Sequence, residues 1–216
     1  MMREITTCGD GVVETQQLFQ VEDGGSIPTS PLQLTFHTCS VHLACTLNQK
    51  WHSRFPIIEW SNVVRNKHYV CFVAKFDNTY LAVAIWSSPI AANRLKYGNQ
   101  MLELRRMAIA NECPPNTASR MLGYMRRWIK KEMPHIATLI SYQDTEAHAG
   151  TIYKASGWSI GGSSNLRWDS GNRKRNAPQS TASKVRWESK LREPVEETTS
   201  DLIQQNQLPF VIVQEA

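Results

Sequence analysis

The segment between Leu102 and Met125 constrains the fold more than any other part of this 216-residue chain. Apolar and polar side chains alternate from Leu102 to Ile109, which predicts a strand with Leu102, Leu104 and Arg106 on one face. Two prolines and an Asn-Thr pair then form a turn, and a helix with an apolar stripe follows at once. A strand that leads into a helix in this way predicts a parallel crossover, so we expect an α/β fold with a mixed sheet.

The neighbouring segments supply the elements that complete such a sheet. Apolar residues at helical spacing predict a helix from Ser40 to Ser53. Asp77-Asn78 separates two apolar runs and predicts the turn of a β-hairpin. Gly157 is a suitable C-terminal cap for a short last helix. The remaining predicted elements are strands over 69–74, 80–86 and 137–142 and helices over 118–131 and 147–156.

Composition divides the chain into a core with three flanking segments. Residues 1–30 are polar and predict an arm or an added edge strand, whereas residues 31–166 hold the predicted core elements. Residues 167–192 contain eight Lys or Arg against two acids, which predicts a basic extension. Residues 193–216 form an acidic tail with five acids and no Lys or Arg, in which 209–213 could add a terminal strand.

The overall charge favours an anionic partner, and the lack of long apolar runs argues against a membrane protein. A net charge of +5 suits nucleic acid or a phosphate-bearing cofactor. The five cysteines are odd in number and lack CxxC spacing, which is typical of free thiols in a reducing compartment. The chain shows no signal peptide and no apolar run of about 20 residues, so we expect a cytoplasmic protein without a membrane partner. The oligomeric state stays open, a homodimer included.

The turn before the central helix is a candidate phosphate site. The first N–H groups of a helix have no acceptor inside it, and the helix dipole adds partial positive charge there. Both effects favour a pyrophosphate, although many strand–turn–helix crossovers bind nothing. The candidate cofactor-binding residues are Arg106, Asn116, Thr117, Ala118, Ser119 and Arg120.

Two polar residues follow the next predicted strand and are candidates for catalysis. Asp144 ends that strand and is a candidate general base or metal ligand. Tyr153 lies on the short helix that follows and is a candidate general acid. The alternative interpretation is structural, with Asp144 capping the helix and Tyr153 packing against the sheet.

Together these segments resemble the GCN5-related N-acetyltransferase (GNAT) superfamily. Its members carry a strand, a pyrophosphate-binding turn, a helix, a second strand, and a helix that ends in Tyr-x-x-x-Gly-aromatic. That last pattern stands here at Tyr153 to Trp158, within a resemblance that covers about Ser40 to Ile160. The chain departs from the superfamily at the turn, where Gln/Arg-x-x-Gly-x-Gly/Ala is replaced by a glycine-free sequence from Cys113 to Arg120.

Several individual segments of the sequence are similar to the Mom family of phage DNA-modification proteins. The resemblance implies that the chain converts adenine in double-stranded DNA to a carbamoylmethylated form at the exocyclic amine, which blocks host restriction. It also implies acetyl-CoA or a related donor, a bound iron, and action in the cytoplasm of a phage-infected bacterium. The matching segments are ELRRMAIA (103–110), NTASRMLGYM (116–125), LISYQDTEAHAGTIYKASGW (139–158) and KVRWE (184–188).

Carried onto this chain, the Mom resemblance assigns roles to individual residues. It places Arg106 and Ser119 at the cofactor, and Asp144 and Tyr153 in the reaction centre. It adds His52, at the end of the first predicted helix, to the same pocket. If iron is bound, His52, Asp144 and Tyr153 are its candidate ligands.

The basic stretch is the candidate DNA-binding surface. Its Lys and Arg side chains suit phosphates, and Trp168 or Trp187 is a candidate for stacking on a flipped base. The alternative is a solvated segment with two packed tryptophans. The candidate nucleic-acid-binding residues are Arg173, Lys174, Arg175, Lys184 and Arg186.

Two other classes of function remain open at the level of sequence. A conventional acetyl-CoA-dependent N-acetyltransferase would act on a small amine or a protein, and the glycine-free turn counts against it. A non-catalytic GNAT-like binding protein would keep its function after Asp144→Ala and Tyr153→Phe.

Overall fold

A mixed sheet with the strand order β1-β2-β3-β4-β5-β7-β6 forms the centre of the protein in a computed structural model. The structure describes residues 27–52, 58–89, 100–164 and 183–194. In chain order its elements are β1 (Thr35–Cys39), α1 (Val41–Trp51), α2 (Trp60–Val64), β2 (Tyr69–Phe76), β3 (Thr79–Ser87), β4 (Met101–Ile109), α3 (Thr117–Glu132), β5 (Thr138–Asp144), α4 (Thr151–Ala155), β6 (Ser159–Ser164) and β7 (Lys184–Lys190). Among the described strands, β4 and β5 are the parallel pair and the other neighbours are antiparallel.

Helices cover both faces of this sheet, because alternate residues of its central strands are apolar on each side. On one face, α3 and α4 pack against side chains such as Phe72, Trp86 and Leu104. On the other face, α1 packs against Val73 and Ile85. The stripe that buries α3 consists of Met121, Leu122, Met125 and Ile129. We refer to the two sides of the sheet as the α3 face and the α1 face.

A β-bulge in β4 changes the side on which its arginines lie. Trp86 of β3 pairs with Leu104, but the next residue, Ile85, pairs with Arg106, so Arg105 is skipped. Leu104 belongs to the core of the α3 face, whereas Ile85 belongs to the core of the α1 face. Since directly paired residues share a face, Arg106 lies on the α1 face. The prediction that Arg106 shares a face with Leu104 was therefore wrong, because simple alternation does not allow for the bulge.

The parallel pair opens into a cleft at its carboxyl end. β4 and β5 pair from Met101↔Thr138 to Leu104↔Ser141, and no further pair joins them within the described residues. Beyond Ser141, β5 continues to pair with β7, while β4 continues to pair with β3. The two strands therefore separate after the Leu104↔Ser141 pair.

The structure confirms the α/β class, the mixed sheet with flanking helices, and the predicted hairpin, crossover and first helix. The predicted helix over 147–156 is shorter, because Gly150 has φ +72° and α4 begins after it. Residues 184–190 form the internal strand β7 rather than part of an extension. The four cysteines in the described ranges are free thiols. Residues 1–26 and the suggested strand over 209–213 lie outside the described residues.

Candidate active site

Tyr153 lies at the point where β4 and β5 separate. Its hydroxyl is 2.8 Å from Oγ of Ser141, the last β5 residue that pairs with β4. Its ring stacks on Trp187 at a centroid distance of 5.4 Å and meets the edge of Trp158 at 5.6 Å. Burial raises the pKa of Tyr153, and the Ser141 hydrogen bond only partly offsets this. The phenol therefore keeps its proton at neutral pH, which is the protonation state that a general acid requires.

A second layer of contacts holds the ring of Tyr153 in place. Nε1 of Trp187 donates to Oε1 of Gln143 at 2.7 Å, and the Gln143 amide donates to the carbonyl of His148. The sequence analysis gave Trp187 as a candidate for stacking on a flipped base. In the structure Trp187 is only 3% exposed, so its ring is not accessible to a base. Its ring packs against Tyr153 instead. Trp168 lies outside the described residues.

Asp144 and His52 approach the cleft from the α1 face. Along β5, Ser141 and Gln143 face α4, so Asp144 and Tyr142 face the other way. Asp144 is 8% exposed, and its Oδ1 accepts a hydrogen bond from the N–H of Glu146 at 3.0 Å. This contact closes the turn after β5, whereas the N-cap of α4 is Gly150, so Asp144 does not cap that helix as the alternative interpretation had it. The carboxylate stays at the end of β5 beside the cleft.

His52 follows α1 directly and lies near two other basic side chains. Burial lowers the pKa of His52, and the positive charges of Arg106 and His148 lower it further. The imidazole is therefore neutral at pH 7 and is suited to accept a proton. The influence of both charges indicates that Arg106 and His148 lie near His52. The sequence analysis had assigned His52 to the pocket of Asp144 and Tyr153, and it had not singled out His148.

The α1 face also carries polar residues that the sequence analysis missed. Nη1 of Arg105 donates to Oγ of Ser87 at 3.0 Å, and the buried Glu103 pairs with Ser87 in the strand register. Burial lowers the pKa of Arg105 and of Arg106, while the Glu103 carboxylate raises both. Consecutive charged residues in a strand that is otherwise buried are the signal that could have revealed this group.

Two of the predicted nucleic-acid-binding residues lie on the same face. Lys184 pairs with Asp144, and Arg186 pairs with Tyr142, so both share the α1 face with the Asp144 carboxylate. Nε of Arg186 forms an ion pair with Oε1 of Glu188 at 2.6 Å, and its Nη2 donates to the carbonyl of Gly161. The other predicted residues, Arg173, Lys174 and Arg175, lie outside the described residues.

The predicted cofactor residues, apart from Arg106, form the first turn of α3. Asn116 is the N-cap with φ +67°, and its side chain makes no capping hydrogen bond within the described residues. The hydroxyl of Thr117 donates to the carbonyl of Pro114 at 2.7 Å, and the hydroxyl of Ser119 donates to the carbonyl of Asn116 at 3.0 Å. Helix geometry leaves the N–H groups of Ala118 and Ser119 without an acceptor in α3. The guanidinium of Arg120 lies over the ring of Phe36 at 5.8 Å.

The predicted iron ligands do not form a metal site. The hydroxyl of Tyr153 is bonded to Ser141 on the α3 face, whereas alternation along β5 turns Asp144 to the α1 face. Within the described ranges, no group of three or more His, Cys, Asp or Glu residues is arranged to hold a metal ion.

Comparison with known proteins identifies the family. The sequence model of the Mom protein family matches residues 33–210, so the chain belongs to this family. A search of curated protein sequences found no match. Among the helices that the structure describes, none is long and apolar enough to cross a membrane.

The fold is that of GNAT acetyltransferases. The ribosomal-protein-S18-alanine N-acetyltransferase of Escherichia coli matches with a TM-score of 0.51 and 15% identity, over 76% of this chain and 98% of that chain. The yncA structure of Salmonella typhimurium, described as an acetyltransferase with its cofactor acetyl-CoA, matches with a TM-score of 0.55 and 7% identity, over 77% of this chain and 99% of that chain. The aminoglycoside acetyltransferase AAC(6')-Ib, in complex with coenzyme A and kanamycin, matches with a TM-score of 0.51 and 9% identity, over 73% of this chain and 94% of that chain.

Proposed function

We propose that this chain is a DNA-modifying transferase that carbamoylmethylates the exocyclic amine of adenine in double-stranded DNA. The observation that carries this proposal is the Mom family match over residues 33–210, which includes both sides of the β4–β5 cleft and strand β7. The modification would protect DNA from restriction enzymes in the cytoplasm of a phage-infected host.

The polar residues of the α1 face support a role in accepting the amine proton. When adenine N6 forms a bond to the methylene carbon of the incoming group, it must lose one proton. The Asp144 carboxylate at the end of β5 and the neutral imidazole of His52 are the candidate acceptors. The leaving group departs on the donor side of the cleft, where the protonated phenol of Tyr153 is suited to donate to it.

The charge of the α1 face supports DNA as the substrate. Lys184 and Arg186 on β7 pair with Asp144 and Tyr142, and Arg106 on β4 lies on the same face of the sheet. These side chains would neutralise backbone phosphates, so binding should weaken steeply with salt. Because an exocyclic amine inside a duplex is out of reach, the adenine must leave the base stack to enter the cleft.

The first turn of α3 supports a donor of the acyl-CoA type. The N–H groups of Ala118 and Ser119 and the guanidinium of Arg120 provide the donors and charge that a pyrophosphate requires. A donor bound here would have to carry its leaving group on the methylene carbon of the carbamoylmethyl group, because attack at a thioester carbonyl would acylate the amine instead. Arg106 lies on the other face of the sheet, so it is a candidate for contact with the reacting groups rather than with the pyrophosphate.

A conventional N-acetyltransferase is the second candidate function. The fold it shares with the acetyl-CoA and coenzyme A complexes of yncA and AAC(6')-Ib favours it. It predicts acetyl-CoA turnover with an amine in the absence of DNA, whereas the DNA-modifying transferase does not.

Restriction digestion of plasmid DNA from expressing cells tests the proposal. DNA from cells with the native chain should resist an endonuclease whose site contains adenine, and DNA from Asp144→Asn cells should be cut. Asp77→Asn is the matched control, because it makes the same change in the β2–β3 turn, where Asn tolerates the left-handed backbone. Equal cutting of all three DNAs, with each protein folded, would contradict the proposal.

A further inference from the structure

The inner side of helix α1 carries an amide among apolar side chains. Its buried residues are Ala44, Leu47 and Asn48, and Asn48 is only 3% exposed. Asn is less favourable than Ala or Leu in a helix interior, and its amide loses hydration when it is buried. An apolar residue would pack against the sheet at lower cost, so packing does not account for the amide at this position.

The amide nitrogen of Asn48 is buried without a partner. Within the described part of the chain, Nδ2 of Asn48 has no hydrogen-bond acceptor. The buried amide of Gln143, by comparison, is bonded at both ends, because it donates to the carbonyl of His148 and accepts from Trp187. A buried N–H that gives up water without gaining an acceptor destabilises the folded protein. This donor therefore suits an acceptor that arrives from outside the chain.

Asn48 lies one helical turn before His52. The N–H of His52 donates to the carbonyl of Asn48 at 2.8 Å, which closes the last turn of α1 and puts both residues on the same side of the helix. This part of the molecule packs over β3 and β4, and the charges of Arg106 and His148 act on the half-buried His52. The unpartnered amide is thus a neighbour of the candidate proton acceptor on the α1 face.

The target base offers acceptors at the required place. In adenine, the ring nitrogens N1 and N7 lie on either side of the exocyclic amine, and both accept hydrogen bonds. An Asn amide is well suited to adenine, since it donates to a ring nitrogen and accepts from the amine. Once the base has left the stack, N1 is also released from its pairing partner. A donor one turn from His52 would bind a ring nitrogen while the amine faces the imidazole.

We propose that Nδ2 of Asn48 donates a hydrogen bond to a ring nitrogen of the target adenine and so orients the exocyclic amine toward His52. The inference rests on the proposed function, because it takes its ligand from that reaction. N1 and N7 share the required chemistry, and the experiment below distinguishes them. Asn48 holds the base in position and forms no bond to the transferred group.

Equilibrium binding of duplexes that differ in one ring atom tests the inference without turnover. The target position carries adenine, 7-deazaadenine or 1-deazaadenine opposite an abasic site, so that base pairing does not contribute to the differences. In fluorescence anisotropy, the full-length native chain should bind one of the two analogues about tenfold more weakly than adenine. The affected analogue identifies N7 or N1 as the acceptor. Asn48→Ala should bind all three duplexes equally.

Two further variants make this comparison specific. Asn62→Ala makes the same change at an exposed position of α2 and should keep the preference of the native chain. Asn48→Leu replaces the donor if Asn48→Ala does not fold, because Leu is also a strong helix former, and it should likewise lose the preference. Circular dichroism confirms that each variant is folded before its affinities are compared.

Equal binding of the three duplexes by the native chain overturns the inference and leaves the proposed function standing. A preference that the Asn48 variants retain also overturns it, since another residue would then contact the ring nitrogen. Absence of binding to any of the duplexes overturns the inference and the proposed function together. A preference that is lost in Asn48→Ala, in a chain that leaves adenine unmodified, would keep this contact and refute the proposed function.

Discussion

Removal of the Tyr153 hydroxyl separates its structural role from its chemical role. In Tyr153→Phe the stacking on Trp187 remains, but the hydroxyl of Ser141, which is 2% exposed, loses its partner 2.8 Å away. A buried polar group left without a partner costs about 1–3 kcal/mol. For a chain of this size, each kcal/mol lowers Tm by about 2–4 °C.

The double variant Ser141→Ala/Tyr153→Phe removes both partners and supplies the control. Replacing both members of a hydrogen bond with apolar groups is nearly neutral, so the double variant should be more stable than Tyr153→Phe alone. If Tyr153 donates a proton in the reaction, the rate of DNA modification in both variants should be about 10²–10⁴-fold below that of the native chain.

Urea unfolding gives the stability of the native chain, Ser141→Ala, Tyr153→Phe and the double variant, and the rate of adenine modification gives their activity. The reasoning is refuted if the double variant regains activity together with stability, because the hydroxyl would then be structural only. It is also refuted if Tyr153→Phe is as active as the native chain.

Gly150→Ala should lower the free energy of unfolding by about 1–3 kcal/mol, because φ is +72° and a Cβ would lie 2.4 Å from Oε1 of Gln143. Gly157→Ala, with the same φ and open space around it, should lose less in the same urea titration. Acid should also destabilise the protein, since the pKa of His68 is lowered to about 4 by burial. The unfolded chain takes up that proton first as pH falls through about 6.5, so stability should be lost between about pH 6.5 and 4, and His68→Asn should flatten this dependence. The neutral form of His52 should persist below its usual pKa, so activity should hold as pH falls through about 6.5 and decline only at lower pH. If activity instead declines at or above pH 6.5, and the same decline is seen in His52→Gln, a different group titrates and His52 is not the proton acceptor.

Local patterns in the sequence were sufficient to predict the strands and helices that form the cleft. Alternation predicted the strands around it, and the apolar stripe predicted α3. Because Asp144 ends a strand and Tyr153 lies on the next helix, their approach to one cleft followed from the connectivity of a parallel crossover.

Features that depend on strand pairing were not predictable in this way. The bulge at Arg105 is a property of two strands together, and it moves Arg106 to the α1 face. The segment that forms β7 was interpreted by its charge, although Val185, Trp187 and Ser189 alternate with charged residues as in a strand. Its insertion between β5 and β6 is a long-range pairing that places Trp187 against Tyr153, and nothing local in the sequence specifies it.

Nucleoside mass spectrometry of DNA from expressing cells tests the central claim most directly. Cells that express the native chain should contain a deoxyadenosine whose mass is increased by the carbamoylmethyl group. Asp144→Ala cells, with equal amounts of folded protein, should lack it. Unmodified deoxyadenosine in the presence of the folded native chain would contradict the claim, and acetyl-CoA turnover with amines would then be the activity to measure.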